Sequence, residues 1–186
     1  MKFEISLEHI SGSSSQETIN QLSEMASLTF ADTFRHYTKD DLESYLRDSL
    51  SAEVLRAEIL DANNHFYFFN LNGQRVGFVK WIFPGSKYLE SFQTDKSPLL
   101  LLERFYFLPE YCGFGLGTAA LAMVEVFARY QVEASALYLS VWEKNLRAQH
   151  FYKKHGFRQV GCFEYPVGEA LDLEFLYLKD LRARRA

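Results

Sequence analysis

The stretch "EYCGFGLGTAAL", residues 110–121, decides how the rest of the chain is read. Gly113, Gly115 and Gly117 alternate with Phe114 and Leu116, and a helix-like run follows. Glycine costs about 0.5–1 kcal/mol against alanine inside a regular element, so three of them at a helix mouth need a reason. The residues before them, "LLLLERFYF" (99–107), are apolar enough for a central strand. A strand that feeds a glycine turn and then a helix start forms an anion site. The first-turn N–H groups point outward and the helix dipole adds positive potential. Glycines there let a phosphate approach the backbone, and Thr118 adds a hydroxyl donor. Glycines that merely turn the chain are the competing explanation.

Three phosphate-binding loops compete for this pattern. A P-loop requires GxxxxGK[ST], and no lysine follows here. A Rossmann turn requires GxGxxG, but the third glycine position counted from Gly113 holds Thr118. The third is a pyrophosphate loop of the coenzyme A type.

The chain around this loop has 186 residues, which suits one domain with a real core. Hydrophobic residues are 48% and aromatics 16%, so a folded globular protein is expected rather than a disordered one. The net charge of −4 and the absence of a basic stripe argue against nucleic acid as partner. The two cysteines, Cys112 and Cys162, make no metal-type pair, and there is no HExxH. No metal is therefore expected, and a reducing compartment is the simpler reading. The N-terminus lacks the apolar region of a signal peptide, and no stretch reaches the ~18 apolar residues of a membrane span. The expectation is a cytoplasmic protein with no membrane partner.

Outward from the loop, "KFEISLEHI" places Phe3, Ile5 and Leu7 at period two and predicts a strand. Ser14 and Glu17 predict a capping box, with Ile19, Leu22, Ala26 and Phe30 at helical spacing after it. Thr38 caps a second helix, with Asp41 at its third position, and a short helix follows over 52–60. "HFYFFNL" and "RVGFVKWIF" flank Asn72-Gly73, a hairpin signal. The segment 84–98 has no period and predicts a long loop. Beyond the glycines, Leu116, Ala119, Ala120, Met123, Val124 and Phe127 share one helix face. "ALYLSV" (136–141) is a strand, and "NLRAQHFYKKHGF" (145–157) a helix with Asn145 as N-cap and Gly156 as stop. Two strands, "FRQVGCFEY" and "LDLEFLYL", joined by a "PVGEA" loop, close the chain. The order fits neither a βα barrel nor an up-and-down barrel. It predicts a mixed α/β sheet with helices on both faces.

"LLERFYFLPEYCGFGLGTAAL" followed by "LYLSVWEKNLRAQHFYKKHGFRQVG" resembles the GNAT superfamily of acyl-CoA-dependent N-acetyltransferases. Cys112, Gly113, Phe114, Gly115, Leu116 and Gly117 occupy the family's Gln/Arg-x-x-Gly-x-Gly/Ala loop. Asn145, Ala148, Phe151, Tyr152, Gly156 and Phe157 match its second signature. The resemblance covers roughly 99–165. "FADTFRHYTKDDLESYL" (30–46) resembles, less specifically, a bacterial branch that includes polyamine acetyltransferases. Two positions depart from the pattern. Cys112 stands where the family has Gln or Arg, and Phe114 where it is often basic. The main-chain cradle survives both, with less charge assistance to the phosphates.

The resemblance implies a single-domain α/β fold, a mixed, mostly antiparallel sheet flanked by helices. It implies acetyl-CoA as co-substrate, an N-acetyltransferase activity, and direct attack by an amine in a ternary complex. The backbone of Phe105, Tyr106 and Phe107 would bind the pantetheine arm, with the Phe107 N–H as candidate oxyanion donor. Tyr152 stands where the family carries its general acid, and Phe151 where family helices contact pantetheine. Packing alone would also explain both rings. Asn145 serves as N-cap, and its amide would also reach the cofactor arm. Glu103 lies two and four residues before Phe105 and Phe107, so strand alternation puts all three on one face. It is a candidate base for the amine proton, against a solvated edge carboxylate as the alternative. Glu164 and Tyr165 are placed by topology near the acceptor. His150 and His155 are read as exposed helix residues, and Trp81 and Phe83 as core, with the lining of an acceptor pocket as the alternative. The expected partner is a small-molecule primary amine, polyamine-like among the options, with the protein a monomer or homodimer. The alternatives are a protein or peptide amine, or a non-catalytic acyl-CoA-binding sensor module.

Overall fold

The computed structural model describes residues 4–168 and 170–182. Phe3 and the end of the basic tail fall outside them. The strands β1 (Ile5–Ile10), β2 (Asn64–Leu71), β3 (Gln74–Ile82), β4 (Leu99–Phe107), β5 (Ala136–Trp142), β6 (Arg158–Val167) and β7 (Ala170–Asp180) hydrogen-bond in the order β1-β2-β3-β4-β5-β7-β6, the mixed, mostly antiparallel α/β sheet that the resemblance implies. The chain divides into two compact units. One runs to Trp81 and resumes over Arg104–Met123; the other comprises Ile82–Glu103 and the residues from Val124 onward.

In the first unit, β1 (Ile5–Ile10) pairs antiparallel with β2 (Asn64–Leu71), from Ile5↔Leu71 to Ile10↔Phe66. A two-residue turn joins β2 to β3 (Gln74–Ile82). Asn72 has φ 52° and Gly73 φ 84°, so both residues are left-handed, as a type I′ hairpin requires. Three helices follow β1 before β2: α1 (Gln16–Thr33), α2 (Lys39–Leu50) and α3 (Ala52–Leu60). Helix α1 starts one residue later than predicted. Ser15 is the N-cap and accepts from the Thr18 N–H at 3.2 Å, whereas the Ser14 hydroxyl accepts from the Ser11 N–H at 3.0 Å. Thr38 caps α2 as expected, accepting from Asp41 N–H. Ile19, Leu22, Met25, Ala26 and Phe30 recur at helical spacing and are buried in one core with Phe66, Phe68 and Phe78. Phe30 also stacks on Tyr45 of α2 at 4.1 Å.

One ion cluster is set into this core. The Lys80 side chain is 1% exposed, and its ammonium lies 3.1 Å from Glu58 of α3. Glu58 also receives Arg104 at 2.6 Å, and the Lys80 ammonium stands 5.4 Å from the Phe66 ring centroid. A buried ammonium is tolerated because this carboxylate compensates it.

In the second unit, β5 (Ala136–Trp142) pairs antiparallel with β7 (Ala170–Asp180) along its whole length, from Ala136↔Asp180 to Trp142↔Glu174. β6 (Arg158–Val167) pairs outside β7. β4 (Leu99–Phe107), which runs through both units, pairs in parallel with β5 over Leu99↔Ala136, Leu100↔Leu137 and Leu101↔Tyr138. Leu99, Leu101, Ala136, Tyr138, Leu176 and Leu178 form the core on one face, with Phe92. The aperiodic segment 84–98 covers that face. A Cβ added to Gly161 would stand 2.3 Å from the Ser91 carbonyl oxygen, and the Gly85 N–H donates to Leu99 O at 2.8 Å. The opposite face of β7 meets helices: Lys179 pairs with Glu125 of α4 (Leu116–Tyr130), and Lys153 of α5 (Leu146–Lys154) lies 5.9 Å from the Tyr177 ring. The predicted "PVGEA" loop is shorter than expected. Pro166 and Val167 belong to β6 and Val167 pairs with Ala170, so the connection is Gly168 and residue 169, the latter outside the described residues.

The buried cation gives a stability prediction. Glu58→Gln is expected to lower unfolding free energy by about 3 kcal/mol, and the same change with Lys80→Met to lose less. Urea unfolding of the three proteins checks this; equal losses would show that Lys80 does not depend on Glu58.

Candidate active site

The glycine loop belongs to the first unit. After β4 the chain makes a short 3₁₀ turn, Pro109–Tyr111, and Cys112 is extended. Gly113 has φ +90° and Gly115 φ +80°, and a Cβ at either would meet nothing within 4 Å. These two positions require glycine conformationally, and the space beside them is open. Gly117 is different: it is the second residue of α4 and shows no positive φ. The Thr118 N–H donates to Gly115 O at 3.1 Å. Its main-chain donor is thus engaged within the loop. Phe114, held between the two left-handed glycines, is 67% exposed. From Leu108 to Ala119 the loop carries no lysine or arginine, so main-chain N–H groups and the α4 dipole must supply its positive potential. The open space beside two left-handed glycines at a helix mouth fits a pyrophosphate group.

The end of β4 alternates as predicted. Phe105 and Phe107 both pack on Phe69, at 5.5 and 4.8 Å, while Tyr106 lies 5.8 Å from Phe78 on the other face. The strand is pinned to β3, for Leu108 N–H donates to Val76 O at 2.9 Å. A Cβ on Gly77 would stand 2.4 Å from the Tyr106 carbonyl oxygen, so glycine permits that approach. The Cys112 thiol sits 3.6 Å from Leu108 O.

The second unit carries the expected acid–base residues. Glu103 is no solvated edge carboxylate: its side chain is 15% exposed and ion-paired with Lys87. The Tyr138 hydroxyl donates to Lys87 O at 2.9 Å, which fixes that lysine's backbone. Burial, foremost, pushes the Tyr138 phenol above its ordinary range. On α5, Asn145 accepts from the Ala148 N–H at 3.1 Å and so is the N-cap. Tyr152 is 7% exposed, edge-on to Phe151 at 5.2 Å and Phe157 at 5.4 Å. Phe151 contacts His155 at 4.4 Å, and His155 Nδ1 lies 2.8 Å from Phe151 O. His150 is exposed, and Trp81 is buried against Tyr67 at 4.7 Å, as core.

Glu164 and Tyr165 part company. Glu164 is exposed opposite Leu173, while Tyr165 pairs with Asp172 on the inner face of β7. The acidic residues of that face are Asp172 and Glu174, both buried, and neither belongs to a recognised sequence motif. Their period of two with Leu176 and Leu178 is the signal that reveals them. Burial, chiefly, pushes Glu174 up to about 7; Asp172 adds to the rise, and a side-chain hydrogen bond with Ser140 opposes it. Gln149 was also missed. It donates to Glu143 O at 2.6 Å and ties α5 to the end of β5. Among the described residues no group of three or more His, Cys, Asp or Glu stands where it would hold a metal ion.

Residues 22–157 match the Acetyltransferase (GNAT) family. An uncharacterized N-acetyltransferase of the pepI 3′ region in Lactobacillus delbrueckii subsp. lactis is 28% identical over 154 residues, 82% of this chain and 86% of its own. The fold is similar to that of the PaiA N-acetyltransferase of Thermoplasma acidophilum, solved in complex with coenzyme A. The TM-score is 0.71 at 22% identity, over 95% of this chain and 99% of that one. It is also similar to a chimera of the spermidine N-acetyltransferase SpeG of Vibrio cholerae and hSSAT, with a TM-score of 0.61 at 15% identity over 95% of each chain. With the glycine loop, the α5 signature and the strand order in place, the chain belongs to the GNAT acetyltransferase family.

Proposed function

We propose that the whole chain, residues 1–186, works as one N-acetyltransferase domain that acetylates a primary amine of a small, cationic molecule. The observation that carries this reading is the glycine cradle: two left-handed glycines with open space beside them, at the start of a 15-residue helix. Gly113, Phe114, Gly115, Leu116 and Gly117 hold the pyrophosphate of coenzyme A through main-chain donors, and Thr118 adds its hydroxyl. The backbone of Phe105 to Phe107 and the α5 residues Asn145 and Phe151 hold the pantetheine arm. Bound there, acetyl-CoA supplies an acetyl group activated as a thioester.

Three tasks then fall to protein groups: removing a proton from the ammonium, stabilising charge on the carbonyl oxygen, and protonating the departing sulfur. The Phe107 N–H takes the second and the Tyr152 phenol the third. Glu103, Asp172 and Glu174 place three carboxylates on one face of the second unit, which suits a cationic acceptor. Likeness to a spermidine N-acetyltransferase supports a polyamine-like amine within that class. Glu103 already holds the Lys87 ammonium, so taking up a proton would break that ion pair. Its role here is to draw and orient the ammonium. Cys112 and Cys162 form no disulfide, in keeping with a reducing compartment such as the cytoplasm.

Gly115→Val places a branched side chain at φ +80°, where the pyrophosphate must approach. Acetyl-CoA affinity is expected to fall at least ~10-fold by calorimetry, a loss of about 1.4 kcal/mol, with an unchanged circular dichroism spectrum. Wild-type affinity in a folded variant would remove the cradle from this loop. Tyr152→Phe keeps the ring packing and deletes the hydroxyl. Its kcat is expected to fall ~10²–10⁴-fold with acetyl-CoA affinity retained, and near-normal turnover at every pH would reject Tyr152 as the acid.

A further inference from the structure

Ser140 and Glu174 lie on the face of the second unit that also carries Glu103. Leu101 pairs with Tyr138, and both belong to the buried cluster on that face. Glu103 and Ser140, each two residues further on, keep the same face. They stand at equivalent positions, one on each strand, just past the last residue pair of the parallel register. On β7, Leu176 and Leu178 belong to the same cluster, and Glu174 and Asp172 continue their row. Ser140 is opposite Leu176 and Trp142 opposite Glu174. The serine and the glutamate are therefore diagonal neighbours, within side-chain reach, and their side chains are hydrogen-bonded.

We propose that Ser140 and Glu174 are the proton-accepting pair of the transfer, with the Ser140 hydroxyl as the relay that meets the amine. This rests on the acetyltransferase reading above. The acceptor arrives as an ammonium. One of its protons passes to Ser140 Oγ as the serine's own proton passes to a Glu174 oxygen, leaving a neutral amine and a neutral carboxyl. The N–C bond then forms and the C–S bond breaks. The second proton shed by nitrogen ends on sulfur by way of Tyr152, and Glu174 returns its proton to water.

The surroundings of Glu174 suit this task. It is 9% exposed, and no cation among the described residues acts on it. The groups acting on it are Ser140 from β5 and Asp172 on its own strand. β5 also presents Trp142 directly opposite it, with the Lys144 ammonium 5.8 Å from that ring. β6 presents Phe163 opposite Glu174 and Tyr165 opposite Asp172, and Tyr88 of the covering segment stacks on Phe163 at 4.3 Å. Burial among these rings raises the carboxyl to about 7, where a base is both ionised and strong enough to act at neutral pH. Because the ionised form accepts the proton, activity falls as pH drops through that value.

The test combines titration with kinetics. By carbon-13 NMR of the side-chain carboxyls, Glu174 of the wild type is expected to titrate near neutral pH, and Ser140→Ala to move its midpoint upward. With thiol release as readout, Glu174→Gln is expected to keep acetyl-CoA affinity, to lose ~10²–10⁴-fold in kcat, and to abolish the acidic limb of the pH profile. Ser140→Ala is expected to shift that limb upward, and carries the kinetic test alone should Glu174→Gln not fold. An unchanged kcat and limb in Glu174→Gln, or an unmoved Glu174 midpoint in Ser140→Ala, would overturn the pair while leaving the acetyltransferase reading intact. A wild type that binds acetyl-CoA and transfers to no amine would overturn both.

Discussion

Three residue pairs, Leu99↔Ala136 to Leu101↔Tyr138, are the whole of the parallel register between β4 and β5. Each strand is held through its other edge. β5 keeps β7 along its full length, and the end of β4 stays pinned to β3 through Leu108 and Val76. The short register is supported by burial of Leu99, Leu101, Ala136 and Tyr138, each side chain contributing on the order of 1.5–3 kcal/mol where it is large and apolar. The residues proposed for the chemistry stand near where this register stops. Glu103 and Ser140 are the first same-face residues past it, and β4 leads on into the glycine loop.

The protein buries ionisable groups in two different ways. Lys80 is enclosed with Glu58, and Arg104 joins the same carboxylate. That cluster fastens α3 to β3 and β4 and is explained by structure alone. Glu174 is enclosed with a serine hydroxyl, an acidic neighbour and aromatic rings, and among the described residues no cation acts on it. Such a carboxyl lowers stability once it ionises, because its folded pKa is raised; the loss grows as pH rises from about 4.3 toward about 7. A group of this kind fits the proposed role of a base.

Local signals located most elements. Asn72-Gly73, the Thr38 cap, the apolar strand 99–107 and the Asn145–Gly156 helix bounds all depend on a few adjacent residues, and the structure has them where the sequence predicts. The run "SGSSSQ" offers three consecutive serines as caps, and only the fold selects Ser15. The segment 84–98 shows no period because its order comes from the sheet it covers, through contacts such as Ser91 with Gly161. The alternation of "GFGLG" presents three glycines that spacing alone does not distinguish. Two are left-handed and the third is helical, a distinction that rests on where α4 begins. Asp172 and Glu174 were visible as alternating acids in an apolar strand. Their burial depends on what β5, β6 and the covering segment place around them, which sequence spacing does not carry.

The function proposed for this protein is catalytic transfer of acetyl from coenzyme A to a small cationic amine in a ternary complex. Initial rates of thiol release, measured while acetyl-CoA and each member of a panel of polyamines, amino sugars and lysine peptides are varied together, test it most directly. The expected result is turnover with at least one small cationic amine and rate lines that intersect in double-reciprocal form, as direct attack in a ternary complex requires. Parallel lines would indicate a covalent acetyl-enzyme and contradict direct attack. Tight acetyl-CoA binding without thiol release for any amine would make the protein an acyl-CoA-binding module instead.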